Sequence, residues 1–188
     1  MIQALIAVVL PALFWERLQV APGSVRMGKI ERATAGRSVF RDEALLCRRH
    51  DALVAALGEE SARKLLLRAP LLLTHDLEST LAAKLEQLTQ LFPGTDLRTL
   101  LLRAPTLLQL NATTTLIPRL TALQEDLQLG SLAGASQVVV RAPTLLQLSD
   151  VKPRLQALQD AIPALSAADA AALASRCPSL LGLSLIHI

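Results

Sequence analysis

The chain has 188 residues, of which 52% are hydrophobic and only 2% are aromatic, with no tyrosine. Strands favour β-branched and aromatic residues, whereas leucine, alanine, glutamine and arginine favour helices, so the composition predicts an all-α fold. The net charge of +3 is uneven, because residues 1–41 hold six bases and two acids, whereas residues 42–188 hold 13 bases and 14 acids. Two distant cysteines, Cys47 and Cys177, do not fit a disulfide framework or a zinc site.

The N-terminal segment, residues 1–41, differs from the rest of the chain. Its start, MIQALIAVVLPALFW, is apolar but shorter than the ~20 residues of a membrane-spanning helix, and it lacks the basic start of a secretory signal. Residues 23–41 carry five bases against one acid, as organellar transit peptides do. We predict a transit-peptide-like or disordered segment; an unprocessed hydrophobic helix and a misplaced start codon are the alternatives.

A repeated motif dominates residues 42–182. The octapeptide RAPTLLQL occurs twice, and related sequences occur at two further places. The four copies begin at Arg68, Arg103, Arg141 and Arg176, and their prolines are spaced by 35, 38 and 35 residues. A partial repeat begins near Leu53. Repeats of this length are typical of stacked helical units, so the spacing predicts an α-solenoid.

Each repeat is predicted to contain two helices. The first carries a base directly before Leu-x-x-Leu; these bases are Lys84, Arg119 and Arg154. The second helix must end at the RAP sequence, because the residue before a proline is driven out of the α region. The proline then starts a short turn whose two leucines enter the core. Such a repeat cannot bury its apolar stripe alone and must stack on its neighbours.

Oxygen-bearing side chains stand where these helices are predicted to begin. The candidate N-caps are Asn111 or Thr113, Ser149 or Asp150, Thr95 or Asp96, Ser131, and Ser166 or Asp169. His75 and Asp76 are expected to begin or cap a helix and not to serve catalysis.

Two repeated blocks in fixed order resemble the mitochondrial transcription termination factor (mTERF) family. A basic-x-Pro-x-Leu-Leu corner is followed by a (Leu/Val)-x-Pro-(Lys/Arg)-Leu-x-x-Leu helix. Residues 103–108 pair with residues 116–123 in this way, and residues 141–146 pair more cleanly with residues 151–158. The resemblance covers about two thirds of the chain, residues 53–181. Its specificity comes from ordered repetition, since single Leu-rich blocks are common.

The resemblance implies an α-solenoid curved into a partial superhelix, in a nuclear-encoded protein of mitochondria or chloroplasts. It implies binding to organellar double-stranded DNA or structured RNA, in transcription termination, transcript or rRNA processing, or ribosome assembly. The alternative is a protein-interaction solenoid that binds a helical or extended peptide. We expect a monomer.

Stacked repeats would align their cations in two rows. One contains Arg68, Arg103, Arg141 and Arg176, and the other contains Lys84, Arg119 and Arg154. All seven are candidate nucleic-acid-binding residues, because a regular line of cations can follow the phosphates of a duplex. Alternatively, the first row caps helix carbonyls. The second row is expected in first turns, where a cation opposes the helix dipole, and this favours a role outside the helix.

Known catalytic motifs are missing from the sequence. It contains no phosphate-binding Gly-rich loop, no HExxH and no GxSxG, and His50 and His75 lie far apart. We therefore expect no enzyme, no cofactor, no metal and no small-molecule substrate. The last six residues, LSLIHI, match the translation of a sequencing-library adapter, so residues 183–188 are expected to be non-native and the natural chain to continue.

Overall fold

The computed structural model describes residues 12–21, 24–148 and 150–182. Every regular element in these ranges is helical and none is a strand, so the all-α prediction is confirmed. The α-helices of these ranges are α1 (Ala12–Leu18), α2 (Val25–Thr34), α3 (Glu43–Leu57), α4 (Glu59–Arg68), α5 (Leu77–Leu91), α6 (Leu97–Arg103), α7 (Ile117–Asp126), α8 (Leu132–Arg141), α9 (Lys152–Ala161) and α10 (Ala167–Arg176). The predicted tail at residues 183–188 lies outside the described residues, as does the candidate cap Ser149.

Shorter helical segments link these helices. Ser38–Arg41 is a 3₁₀ turn, and Ala112–Leu116 is a single π-helical turn that runs directly into α7. Four further 3₁₀ turns begin at a proline and are called the proline turns: Pro70–Thr74, Pro105–Leu108, Pro143–Gln147 and Pro178–Gly182.

Each closing helix ends at the RAP sequence, as predicted. The last residues of α4, α6, α8 and α10 are Arg68, Arg103, Arg141 and Arg176. The next residue then leaves the α region: Ala69 has φ −139° and ψ 69°, and Ala142 has φ −135° and ψ 80°. A following proline causes this, because its ring crowds the backbone of the residue before it. The chain therefore turns at an equivalent place in every repeat.

Most leucines of the proline turns are buried, as predicted, whereas Leu71 and Leu180 are half-buried. Those with at most 2% of their surface exposed are Leu72, Leu73, Leu107, Leu108, Leu145, Leu146 and Leu181. Full burial of one leucine side chain stabilises the fold by about 1.5–3 kcal/mol. The proline turns are therefore part of the core, although they join helices.

The contacts divide the chain into two compact units. Unit 1 comprises Met1–Leu85 and Pro105–Gln109, and unit 2 comprises Glu86–Ala104 and Leu110–Ile188.

In unit 1, helices from the N-terminal segment pack against the first part of the repeat region. α1 contacts α3 and α4, and α2 contacts the proline turn Pro70–Thr74. α1 buries Phe14, Trp15 and Leu18, and α2 buries Ile30. The described part of residues 12–41 thus contains two α-helices and a 3₁₀ turn, whereas a transit-peptide role for residues 1–41 stays a prediction.

In unit 2, two successive repeats use the same pairing. α7 packs against α8 and α9 packs against α10, and the proline turns Pro143–Gln147 and Pro178–Gly182 contact each other. Leu120, Leu123 and Leu158 are buried, as expected for apolar stripes that face the core.

The predicted helix starts are confirmed at several caps. Asn111 Oδ1 accepts hydrogen bonds from the main-chain N–H groups of Thr113 and Thr114, both at 2.9 Å. Asp96, Ser131, Asp150 and Ser166 accept main-chain N–H groups at the starts of α6, α8, α9 and α10. Such a cap stabilises its helix by about 1 kcal/mol.

Candidate nucleic-acid interface

Two rows of cations occupy equivalent positions in the repeats. The RAP row consists of Arg68, Arg103, Arg141 and Arg176, the last residues of their helices. The inner row, as predicted from the sequence, consists of Lys84 on α5, Arg119 on α7 and Arg154 on α9. The RAP row is exposed, whereas the inner row is half-buried. A ligand can therefore reach the RAP-row cations more readily than the inner-row cations.

RAP-row arginines reach the end of the closing helix in the next repeat. Arg103 Nη1 donates to the carbonyl of Val140 at 2.9 Å, and its Nη2 donates to the carbonyl of Arg141 at 2.7 Å. Arg141 Nη1 contacts the carbonyl of Ser175 more loosely, at 3.4 Å. The last carbonyls of a helix carry the negative end of its dipole, so a cation there is stabilising. These two arginines thus cap the helix of the following repeat.

Inner-row cations donate to carbonyls of the next proline turn. Lys84 Nζ donates to the carbonyl of Leu108 at 2.6 Å, within unit 1. In unit 2, Arg119 donates to the carbonyl of Leu146 in the same way. Arg154 likewise donates to the carbonyl of Leu181. Every acceptor is the third residue after the proline of its turn, so one hydrogen bond is repeated along the chain.

The first-turn position expected for the inner row is wrong for one member. Lys84 is the eighth residue of α5, which begins at Leu77. Arg119 is the third residue of α7, but the π-helical turn Ala112–Leu116 precedes that helix without a break. Arg154 is the third residue of α9, as expected. Opposition to the helix dipole therefore does not explain the whole row.

Arg49 is a fourth member of the inner row that the sequence analysis missed. Its Nη1 donates to the carbonyl of Leu73, the equivalent acceptor in the first proline turn. The four cations are Arg49, Lys84, Arg119 and Arg154, at constant intervals of 35 residues. Arg49 escaped notice because buried His50 stands where the other repeats have leucine after the base. The constant interval was the signal that could have revealed it.

The regular spacing of the inner row persists although the repeats differ in length. Donor and acceptor are 24 residues apart for Arg49 and Lys84, and 27 apart for Arg119 and Arg154. The link from an acceptor to the next donor is 11 residues from Leu108 to Arg119, and eight from Leu146 to Arg154. The longer of these links contains the π-helical turn. The donor–acceptor separation is three residues longer for Arg119 than for Lys84, and the link that follows is three residues shorter. The interval between successive donors therefore stays at 35 residues.

The burial of the acceptor carbonyls explains why a cation occupies each inner-row position. Each carbonyl belongs to a leucine with at most 2% of its surface exposed. A buried carbonyl without a partner is costly, and a hydrogen bond to a charged donor contributes about 1.5–3 kcal/mol. The inner row is thus primarily part of the packing between successive repeats.

His75 follows the first proline turn and responds electrostatically to two inner-row cations. Burial lowers the pKa of His75, and the charges of Lys84 and Arg49 lower it further. Its neighbour Asp76 caps α5 by accepting the main-chain N–H of Ser79 at 3.4 Å, and it also accepts the hydroxyl of Ser79 at 2.5 Å. Hydrogen bonds from Ser79 lower the pKa of Asp76. The prediction that this pair begins or caps a helix is therefore confirmed for Asp76.

Two absences apply to the part of the chain that the structure describes. None of its helices has both the length and the apolar character needed to cross a bilayer. Within the same ranges, His, Cys, Asp and Glu side chains do not gather in groups of three that could ligate a metal ion.

Comparison with known proteins identifies no family for this chain. No protein-family model matches it, and no curated protein matches it significantly. The resemblance to the mTERF family therefore rests on the repeated residues themselves.

Proposed function

We propose that this protein is an α-solenoid of mTERF-like repeats that binds double-stranded organellar nucleic acid by its phosphate backbone. In this proposal it acts in transcription termination or in transcript or rRNA processing, in mitochondria or chloroplasts. The proposed ligand is duplex DNA or structured RNA, and the RAP row supplies the main phosphate contacts.

The RAP row carries this proposal because its cations are exposed, and because Arg103 and Arg141 are also held in place by the next repeat. Arg103 uses its two terminal nitrogens for carbonyls of the next repeat, yet the side chain stays open to solvent. A guanidinium has more donors than these two bonds occupy, so a phosphate oxygen can share it. Because the side chain is already anchored, it loses less conformational freedom when a phosphate binds.

The inner row is the weaker phosphate candidate. Lys84, Arg119 and Arg154 are half-buried and donate to buried carbonyls. Turning such a cation towards a phosphate would leave a carbonyl of the proline turn without that donor. We therefore assign these three residues mainly to the contact between repeats and assign the ligand to the RAP row.

The aromatic residues support a duplex ligand over a single strand. The chain has three phenylalanines and one tryptophan. Phe14, Trp15, Phe40 and Phe92 each expose at most 5% of their surface. Proteins that bind single strands stack bases on exposed rings, which these buried residues do not provide. Contact with the phosphates of a duplex needs only cations.

The solenoid part of the proposal is supported by the equivalence of successive repeats. In unit 2, the pairs α7/α8 and α9/α10 each end in a proline turn, and those turns contact each other. The inner-row hydrogen bond recurs four times with equivalent acceptors. A stack of such repeats buries stripes that one repeat cannot bury alone.

The test is binding of the full chain to a labelled DNA duplex and to a structured RNA over a series of salt concentrations. The test variant carries Arg68→Gln, Arg103→Gln, Arg141→Gln and Arg176→Gln. The matched control loses four exposed cations outside both rows: Lys29→Gln, Arg37→Gln, Arg41→Gln and Arg98→Gln. The slope of log affinity against log salt should shallow by about 0.9 for each B-DNA phosphate that the variant no longer neutralises. The control should keep a larger share of the slope.

Two outcomes would count against the proposal. Equal slopes in the test and control variants would remove the RAP row from the interface. Absence of binding to either nucleic acid at low salt would reject the function and favour the protein-interaction solenoid. Circular dichroism of each variant separates these outcomes from loss of folding.

A further inference from the structure

A cleft in unit 1 collects four cations. Its lining residues are Arg26, Arg63, Lys64, Leu67 and Arg68. Arg26 lies on α2 and the others lie on α4. Both helices pack against the proline turn Pro70–Thr74, which holds them near each other. The cleft therefore joins an arginine of the N-terminal segment to the first closing helix.

Local helix stability accounts for only part of this cluster. Arg63 and Lys64 pair with Glu60 at favourable helical spacings. Arg68 lies in the last turn of α4, where a cation is stabilising. Arg26 is the second residue of α2, where a cation opposes the helix dipole. Lys64 and Arg68 are four residues apart on α4, a spacing at which like charges repel. Arg26 is thus placed at a cost to its own helix, which indicates a use outside that helix.

A carboxylate at this cluster shows how its cations hold an oxyanion. Glu60 accepts two parallel hydrogen bonds from Arg63, from Nε at 3.0 Å and from Nη2 at 2.9 Å, and it pairs with Lys64 at 3.1 Å. These bonds, led by those from Arg63, lower the pKa of Glu60. The Glu60 side chain is 60% exposed, so solvent screens its bonds and a second anion can compete for the same cations.

We propose that this cleft binds two adjacent phosphate groups, supplied by a nucleic-acid strand or by a soluble diphosphate. The lining brings four cationic side chains to one cleft, and Glu60 shows that Arg63 and Lys64 can hold one oxyanion together. Two adjacent phosphate groups present more oxygen acceptors than one, so they can engage cations from both helices at once. The lining contains three arginines, whose planar forks suit phosphate oxygens.

The lining also indicates that the cleft does not recognise bases. Among the residues that the structure describes, Leu67 is the one apolar residue in the lining, and none of the lining residues is aromatic. A base would find no stacking surface there, so recognition falls on the phosphates. This site goes beyond the proposed function, because a diphosphate can bind here whether or not the repeats bind a duplex.

The first experiment titrates the full chain with inorganic pyrophosphate by isothermal calorimetry at low salt. The test variant is Arg26→Gln with Lys64→Gln, which leaves the RAP row and the inner row intact. The control variant, Lys29→Gln with Arg98→Gln, removes the same charge from exposed positions that do not line the cleft. We expect pyrophosphate to bind the test variant about tenfold more weakly, since the variant cannot form those charged hydrogen bonds. The control should bind like the unchanged protein.

Glu60→Gln provides a test of opposite sign. It removes the competing carboxylate and keeps its size, so pyrophosphate affinity should rise by about threefold. Equal affinity in the test and control variants, or no pyrophosphate binding by the unchanged protein, would overturn the proposal. Because Glu60→Gln should gain affinity, a poorly folded test variant cannot produce the whole pattern.

A competition experiment separates the two phosphate sources. If a DNA duplex displaces pyrophosphate and the test variant weakens both ligands, the cleft holds neighbouring phosphates of a strand. If duplex binding is unchanged while pyrophosphate binding falls, the cleft is a site for soluble diphosphates. Failure of the duplex function alone would appear as absent duplex binding by the unchanged protein, with its pyrophosphate binding intact. The RAP-row variant does not serve this comparison, because Arg68 belongs to the row and also lines the cleft.

Discussion

The guanidinium of Arg103 donates a hydrogen bond at 2.7 Å to the main-chain carbonyl of Arg141, the residue at the equivalent position of the next repeat. This member of the RAP row is thus anchored directly on its successor. The spacing of the two arginines is then set by helix packing and not by flexible side chains. An anchored cation is better prepared for a fixed line of phosphates than a freely moving one.

Lys84→Met should reveal the structural role of the inner row. Methionine, like lysine, has an unbranched side chain, but it cannot donate a hydrogen bond. The buried carbonyl of Leu108 therefore loses its charged donor. We expect a loss of about 1.5–3 kcal/mol in the free energy of unfolding, measured by urea denaturation. Lys29→Met, at an exposed position on α2, should stay within about 0.5 kcal/mol of the unchanged protein. Equal effects would show that the hydrogen bond is unimportant.

Leu145→Ala should test whether the proline turns belong to the core. Leu145 is 2% exposed, and its truncation leaves a cavity inside unit 2. The expected destabilisation is about 2–5 kcal/mol, seen as a lower midpoint in thermal or urea unfolding. The exposed neighbour Thr144 provides the control, since Thr144→Ala should change stability by less than about 0.5 kcal/mol. A small effect of Leu145→Ala would mean that the turn packs loosely.

Gly58→Ala should destabilise the corner between α3 and α4. Gly58 has φ +84° and ψ 154°, a conformation that is essentially restricted to glycine. No neighbouring atom blocks a side chain there, so the expected cost of about 1–3 kcal/mol comes from the backbone alone. Gly130→Ala has similar free space without a positive φ and should be near neutral. If the two variants have the same free energy of unfolding, the backbone at Gly58 can adopt a conformation that alanine tolerates.

Acidification should destabilise the protein partly through His75. Its pKa is lowered in the folded state, first by burial and then by Lys84 and Arg49, so the unfolded chain binds the proton more readily. This contribution is fully present above pH 6.5 and is lost as the pH falls through the lowered value. His75→Gln should therefore flatten the stability profile below pH 6.5, measured by thermal unfolding in a pH series. An unchanged profile would contradict the assignment.

The corners of the repeats were predictable because proline acts locally. The end of α8 at Arg141 and the start of the next turn at Pro143 follow from the sequence of three residues. Helix caps such as Asn111 and Ser131 were predictable for the same reason, since each bonds within its own turn. Features determined by neighbours along the chain can be read without knowledge of the fold.

The partners of the cations could not be predicted, because they depend on packing between repeats. The sequence marked Arg119 as repeated but could not show that it donates to the carbonyl of Leu146, 27 residues away. Arg26 was assigned to a transit-like segment, and only the packing of α2 places it in a cleft with α4. The π-helical turn Ala112–Leu116 was also unforeseen, and among the described residues the equivalent Pro153 at the start of α9 has no such turn before it.

The inner-row hydrogen bond makes each repeat compatible with a copy of itself. Lys84 belongs to one repeat and bonds Leu108 of the next, while Leu73 of the same repeat accepts from Arg49 before it. A segment cut at two successive RAP corners therefore carries one donor for its successor and one acceptor for its predecessor. Duplication or exchange of such a segment within a gene would bring matched partners with it. Arrays of this type can thus gain or lose whole repeats, and the buried carbonyl at the new junction still receives a hydrogen bond.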